Sequence, residues 1–450
     1  MKNGSPIPSK LIQKYWLVSA DMGYGHQRAI SPLISLSQSG NIINANNSSE
    51  ASVKELRLWK EMQGTYEFMS RAGNLPLIGN FITRLLNRLL YIPSYYPLKE
   101  RSNATLQVKY LKSAIKNGLC DGLIKQINNP ELPLITSFYS PAIAAEMAGH
   151  KFIYCIICDT DLNRVWVSEN ATTSHILYFA PGSVSSQRLI SYGVPERNIL
   201  LTGFPLPLDL LGDRSLNTLK KNLHRRLITL DPQLSFENLY NHSVKAFLNI
   251  DLINAESVIQ RRSVTITYAV GGAGAQKEIG IQIMKSLSKD IFEGKVKLNL
   301  AAGTRTDLVV YFEKARRKNE FSNEQVNIIW GETNESYFEH FNQSLHNTDI
   351  LWTKPSELSF YCALGIPVIM APAIGPQEKC NHRWLREIGA GIKQQNPEYT
   401  NQWLMDLINK GRLAEAAWNG FLKGRKFGTY NIIDFLETGT FNSSNDPLKR

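Results

Sequence analysis

The sequence predicts an α/β protein with two domains, each built on a parallel sheet, facing one another across a cleft. Three observations predict it. Short apolar runs alternate with segments of helical periodicity, the pattern of parallel sheets. Two of those runs pass straight into a glycine-bearing turn and then a helix, so the chain starts the same architecture twice without repeating its sequence. At 450 residues it is also too long for one ordinary domain. Each half is therefore read as Rossmann-like, with ligands expected where the carboxyl ends of the strands face each other.

The first series opens with a strand at Tyr15 to Ala20, the turn Asp21-Met-Gly-Tyr-Gly-His26 and a helix from about Gln27. Strands follow at Leu134 to Ser137, Phe152 to Cys158, Ile176 to Ala180 and Ile199 to Thr202, with a helix beginning near Pro141. Gly203-Phe-Pro-Leu-Pro207 then breaks the chain, which bounds an N-terminal domain at 1–207. Residues 208–262 lack strand signals and read as a basic, mostly helical connection. The second series runs from Val264 to Val270 into Gly271-Gly-Ala-Gly274 and a helix around Lys277 to Leu287. It continues through Val296 to Ala301, Val326 to Trp330, Asp349 to Thr353 and Pro367 to Met370, giving a C-terminal domain at 263–427. Residues 428–450, ending in Asn-Ser-Ser-Asn-Asp-Pro and three more residues, read as a loosely ordered tail.

Composition narrows the function. Hydrophobic residues at 43% and charged ones at 20% describe a folded globular chain. Fifty Lys and Arg against 39 Asp and Glu give +11, which favours an anionic partner such as a phosphorylated ligand or an anionic membrane surface. Nucleic acid is not expected, because no recognition module or basic-aromatic patch accompanies the charge. Five cysteines are too few for a disulfide framework, and Cys155 and Cys158 sit inside an apolar run that reads as a buried strand, not a redox pair. MKNGSPIPSK carries no apolar leader core, and no window reaches 18 uninterrupted apolar residues, so a cytoplasmic protein is expected.

Chemistry concentrates in four places. The two glycine turns let backbone N–H groups approach a phosphate, although neither is a P-loop or a clean GxGxxG. His26 closes the first turn, where a helix N-terminus disfavours protonation and leaves an imidazole able to accept a proton. A capping or packing role competes with that reading. Asp159, Asp161 and Trp166 follow a buried strand at its ligand-binding end, with helix capping as the competing role. Finally, Leu351 to Phe360 and Gly375 to Asn381 place Lys354, Ser356, Glu357, Gln377, Glu378 and Asn381 in two loops about 20 residues apart. Hydroxyl, amide and carboxylate groups so arranged suit a ribose, a phosphate and a sugar ring. No third ligand joins Asp159 and Asp161, so no metal is expected there.

These motifs resemble the monogalactosyldiacylglycerol synthase and MurG-like glycosyltransferases, as a divergent member. Thr353-Lys-Pro, Ala363-Leu-Gly-Ile-Pro-Val and Gly375-Pro-Gln-Glu-x-x-Asn381 look like that family's donor site. The turn with Gly23, Gly25 and His26 is similar to its Gly-Gly-Gly-His loop, and Asp159 to Trp166 to its acceptor segment. Gly271, Gly272 and Gly274 match its diphosphate loop, and Gly193-Val-Pro with Leu201-Thr-Gly-Phe-Pro205 its hinge. The resemblance runs from residue 15 to about 391 and implies the GT-B fold. It departs at Ser356-Glu-Leu-Ser359, where the family has Gly-Gly-Leu-Thr, and at Cys362, where the family has a ribose-binding Glu. Glu357 is the candidate replacement.

The resemblance implies inverting, metal-independent transfer of a sugar from a nucleoside diphosphate donor, a UDP-sugar, to an acceptor hydroxyl. His26 would act as base with Asp159 orienting it, and Lys354 and Arg305 would supply charge to the leaving diphosphate. No cofactor is implied. Lipid acceptors and a peripheral position on an anionic membrane follow for the family. The segment 75–93 fits, carrying Phe81, Leu85, Leu86, Leu89 and Leu90 at helical spacing with Arg84 and Arg88 among them. A sugar-nucleotide epimerase, or a degenerate member that only binds a nucleotide or partner, remains the alternative.

Overall fold

The computed structural model describes residues 14–72, 91–249, 262–272 and 274–450. Most of the 75–93 segment, the N-terminal decapeptide and the end of the 208–262 stretch lie outside them. Two six-stranded parallel sheets with flanking helices form the fold, the class expected from the sequence.

The N-terminal sheet contains β1 (Trp16–Ser19), β2 (Ile43–Asn44), β3 (Leu134–Thr136), β4 (Ile153–Ile156), β5 (Leu177–Phe179) and β6 (Ile199–Leu200). Its order is β2-β1-β3-β4-β5-β6. The inner strands β3 and β4 are buried at every position, which is why they read as unbroken apolar runs instead of alternating ones. Cys155 in β4 and Cys158 two residues past its end are buried free thiols.

The C-terminal sheet contains β7 (Val264–Ala269), β8 (Val296–Gly303), β9 (Val326–Trp330), β10 (Ile350–Thr353), β11 (Val368–Met370) and β12 (Gly391–Lys393). Its order is β12-β11-β10-β7-β8-β9. The winding direction reverses between β1 and β3 in one sheet and between β7 and β10 in the other. At such a switch point the loops leave in opposite directions and open a crevice at the strand carboxyl ends. Both glycine turns sit there.

The connection after Gly203–Pro207 is helical, as expected: Leu208–Leu211, Asn217–Thr229 and Ser235–Leu248. It packs on the C-terminal domain, chiefly on the helix Arg412–Lys423. Arg226, 1% exposed, donates to the carbonyls of Thr348 at 2.9 Å, Leu364 at 3.2 Å and Gly365 at 2.9 Å.

The tail differs from expectation. Residues Gly428–Thr438 form a helix that returns to the N-terminal domain. Phe435 packs on Tyr154 and Phe179, and the Leu436 carbonyl accepts from the Tyr15 hydroxyl at 3.2 Å. Ile432, Phe435 and Leu436 at helical spacing give this helix a buried stripe, which the polar residues beyond it obscured.

Candidate functional site

At the N-terminal switch point, Gly23 has φ of 108°, and the chain enters the helix Tyr24–Ile30. His26 lies in its first turn. The ring's Nδ1 is 2.8 Å from the carbonyl oxygen of Ser137, just past β3. A carbonyl only accepts, so Nδ1 carries the proton and Nε2 holds the lone pair. Burial lowers the imidazole to about 4, and the Ser137 bond opposes this only in part. His26 is thus neutral at pH 7. Phe138 and Trp166 wall the ring, at 4.7 and 6.1 Å between centroids. The expected orientation by Asp159 is corrected: the group that fixes the imidazole is the Ser137 carbonyl, reached across the β1–β3 crevice.

At the C-terminal switch point, a methyl at Gly271 would stand 2.5 Å from Cε of Lys354, and one at Gly274 would stand 2.4 Å from Nη1 of Arg305. Both cations therefore lie directly against the turn. Gly274 has φ of 70° and its N–H returns to the Gly271 carbonyl at 2.7 Å, a conformation glycine adopts without strain. Each cation has a carboxylate partner. Lys354 meets Glu378 at 2.6 Å, and Arg305 meets Asp307 through Nε at 3.0 Å and Nη2 at 2.6 Å. Glu378 also accepts from the N–H groups of Ile374 at 2.6 Å and Gly375 at 3.3 Å, capping the helix Pro376–Glu387. Gln377 precedes it on the same turn, half-buried. Ser356 begins the short helix Glu357–Leu364 that carries buried Cys362.

The two crevices meet. A methyl at Gly272 would be 3.6 Å from the Tyr24 ring and 3.8 Å from Gly23. Three further contacts join the domains here. Asn381, fully buried, accepts from the Thr160 N–H at 2.9 Å and hydroxyl at 2.8 Å, and donates to Asp159 at 3.0 Å and the Pro355 carbonyl at 3.2 Å. Tyr24 reaches the other domain, where its hydroxyl accepts from the Thr304 N–H at 2.9 Å. Glu357 pairs with Arg28 at 3.2 Å, and a methyl at Gly25 would lie 3.1 Å from that carboxylate.

Asp159 is pushed up to about 7, by burial first and then by the negative charge of Glu357 and Glu378, while the Asn381 bond and Lys354 oppose. Asp161 is different. Buried at 1% exposure, it makes a two-point pair with Arg188 at 2.7 and 2.8 Å, and Arg188 also donates to the Pro93 carbonyl at 2.7 Å. That pair holds the loop after β4 and leaves Asp161 a wall of the site.

The structure thus brings together His26, Gly23, Gly25, Asp159, Trp166, the 271–274 turn, Lys354, Arg305 and Glu378. Glu357 and Asn381 are there too, with their polar atoms taken up across the domain boundary. Sequence reasoning missed Tyr24, Arg28, Ser137 and Thr160, whose partners lie more than a hundred residues away and leave no local pattern. Among the described residues no group of three or more His, Cys, Asp or Glu side chains is placed to hold a metal ion.

Likeness to known proteins goes no further than architecture. A family model described as a domain of unknown function, DUF6938, matches residues 305–433. No curated protein matches the chain. Among solved structures it is similar to Acinetobacter baumannii MurG, at 14% identity over 94% of this chain and 99% of that one, TM-score 0.47. It is similar to S. aureus MnaA solved with UDP, at 11% identity over 94% and 96%, TM-score 0.47. A third is the Neisseria meningitidis UDP-GlcNAc 2-epimerase bound to UDP-GlcNAc, at 14% identity over 94% and 99%, TM-score 0.43. At such identities activity is read from the site itself.

Proposed function

We propose that the chain is a glycosyltransferase that moves a sugar from a nucleoside diphosphate donor, a UDP-sugar, to an acceptor hydroxyl with inversion. The observation that carries this is His26: a neutral imidazole whose Nδ1 is fixed on Ser137, leaving Nε2 to accept, at a cleft shared with the 271–274 turn. The acceptor oxygen attacks the anomeric carbon while Nε2 takes its proton. The bond from that carbon to the β-phosphate oxygen breaks, and the departing diphosphate meets the N–H groups at Gly271 to Gly274, Lys354 and Arg305. In this reading the phosphate displaces Glu378 and Asp307 from those cations, so transfer needs no metal. Gln377 is the group on the distal loop proposed to contact the sugar.

A lipid acceptor at an anionic membrane surface belongs to the same proposal, with the 75–93 segment as the interfacial element. Exposed Tyr91 near its end, with Tyr96 and Leu98 just beyond, supports that placement. No helix among the described residues is long and apolar enough to cross a membrane.

One observation favours a second reading. A carboxyl near 7, as Asp159 has, exchanges protons readily at neutral pH, which a sugar-nucleotide epimerase requires. Two assays decide. Thermal-shift screening against UDP-, GDP-, TDP- and ADP-sugars identifies the donor, and product analysis separates a transferred sugar from an epimer. His26→Ala should reduce transfer by about 100-fold or more while leaving donor binding intact. Retained transfer would exclude the base role.

A further inference from the structure

We propose that Arg28 is a positioning residue: captured by an aromatic receptor on the opposite domain, it closes the cleft and sets His26 against the donor turns. The inference rests on the transfer reading above.

Arg28 belongs to the N-terminal domain, yet most of what surrounds its guanidinium belongs to the other. Its central carbon lies 5.1 Å from the ring centre of Tyr337, 4.6 Å from Phe338 and 4.3 Å from Phe341. Those three residues form the inner face of the helix Asn334–Leu345. Glu357, from a second element of the C-terminal domain, supplies the counter-charge at 3.2 Å. Tyr24 completes the enclosure from Arg28's own helix at 6.0 Å. The side chain is 2% exposed. Nε and Nη1 make no hydrogen bond of good geometry, and the hydroxyls of Tyr337 and Tyr361 stand close to the guanidinium, so Glu357, phenols and ring faces hold the group instead of a two-point fork.

This arrangement differs from an ordinary buried ion pair. With the domains apart, Arg28 would return to water and the Tyr337–Phe338–Phe341 face would lose its cover, so the receptor exists only in the closed form. Two neighbours make the docking specific. Gly25 lacks the side chain that would press on Glu357, and the Tyr24 hydroxyl takes the Thr304 N–H beside the Arg305 end of the donor site.

The consequence for chemistry follows from the helix itself. Tyr24, Gly25 and Arg28 meet the C-terminal domain, while His26 is bonded to Ser137 on the other side of the same seven-residue helix. A short rigid element pinned on both sides transmits the docking of Arg28 to the imidazole. Displacing a catalytic group by about 1 Å costs on the order of 100-fold in rate.

The test uses the full-length chain. Arg28→Ala should lower turnover by about 100-fold while the donor Kd stays within about threefold, because donor groups lie on the other domain. Arg28→Lys, which keeps the charge over the rings without the planar fork, should restore about tenfold of that loss. Small-angle scattering of the ligand-free protein should show a larger radius of gyration for Arg28→Ala than for the parent. If that variant does not fold, Glu357→Gln takes its place with the same readouts. An unchanged radius of gyration overturns the closing role, and turnover that falls only as far as donor affinity falls overturns the positioning role. Should the parent transfer sugar from no donor while the radius still expands, the transfer reading fails and the closing role of Arg28 stands.

Discussion

Replacing Asp159 by asparagine should make the protein more stable as the pH rises. Asp159 sits half-buried just past the carboxyl end of β4, and desolvation of its carboxyl, reinforced by Glu357 and Glu378, pushes it from the ordinary 3.8 up to about 7. The folded protein therefore holds a proton that the unfolded chain has released, and the associated stability is complete below 3.8 and lost as pH rises through 7. Between pH 5 and pH 8 that loss is about 3 kcal/mol, accumulating at about 1.4 kcal/mol for each pH step until the folded carboxyl itself ionises. Asparagine keeps an oxygen for the Asn381 amide and has no charge to bury. For a chain of this size about 3 kcal/mol corresponds to a Tm difference of about 3 °C. The assay is paired thermal melts of parent and Asp159→Asn at pH 5, 6, 7 and 8. The variant should gain on the parent by about 3 °C across that range. His26, lowered to about 4, acts with the opposite sign, its stability contribution rising between about 4 and 6.5, but it is common to both proteins and cancels. Parallel curves would refute both the burial argument and the acid–base potential of Asp159.

Other substitutions probe the remaining walls of the site. Gly274→Ala forces φ of 70° on an L residue and drives a methyl against Arg305, so UDP affinity by calorimetry should fall about tenfold with the circular dichroism unchanged. Arg188→Ala strands the buried Asp161 carboxylate and should cost about 3–5 kcal/mol in urea unfolding, with no specific loss at the donor turn. Asn381→Ala removes bonds to Thr160, Asp159 and Pro355 together. It should cost about 1–3 kcal/mol and raise the Asp159 carboxyl further, read as a higher midpoint in its infrared titration.

The central strands were legible because a strand covered on both faces is mostly apolar, and β3, β4, β7 and β10 are buried at every position. Ile43–Asn44 and Gly391–Lys393 were not, since two- and three-residue edge strands carry too little pattern to separate from loops. In the site, Lys354 and Arg305 were legible because they follow β10 and β8 at the strand ends where ligands gather. Asn381 was read as a sugar contact from the Gln-Glu-x-x-Asn resemblance, and Glu357 as a ribose contact from its place in the preceding turn. Their protein partners, Arg28 and Thr160, are brought to them by the docking of two domains, which no local spacing records.

The chain passes between the domains twice, at Gly203 to Pro207 and again just before the helix Gly428–Thr438, and the two passages touch. A methyl at Gly203 would lie 3.4 Å from Cα of Gly428, and one at Gly428 would collide with the Phe204 carbonyl at 2.1 Å. Asn431 and Thr429 tie the second passage to the first through the carbonyls of Thr202 at 2.8 Å and Leu206 at 2.5 Å. A single tether would let the domains swivel about any direction. Two tethers bonded side by side define one axle, so the cleft can rock open along a single path and Tyr24 and Arg28 return to the same seats each time it shuts.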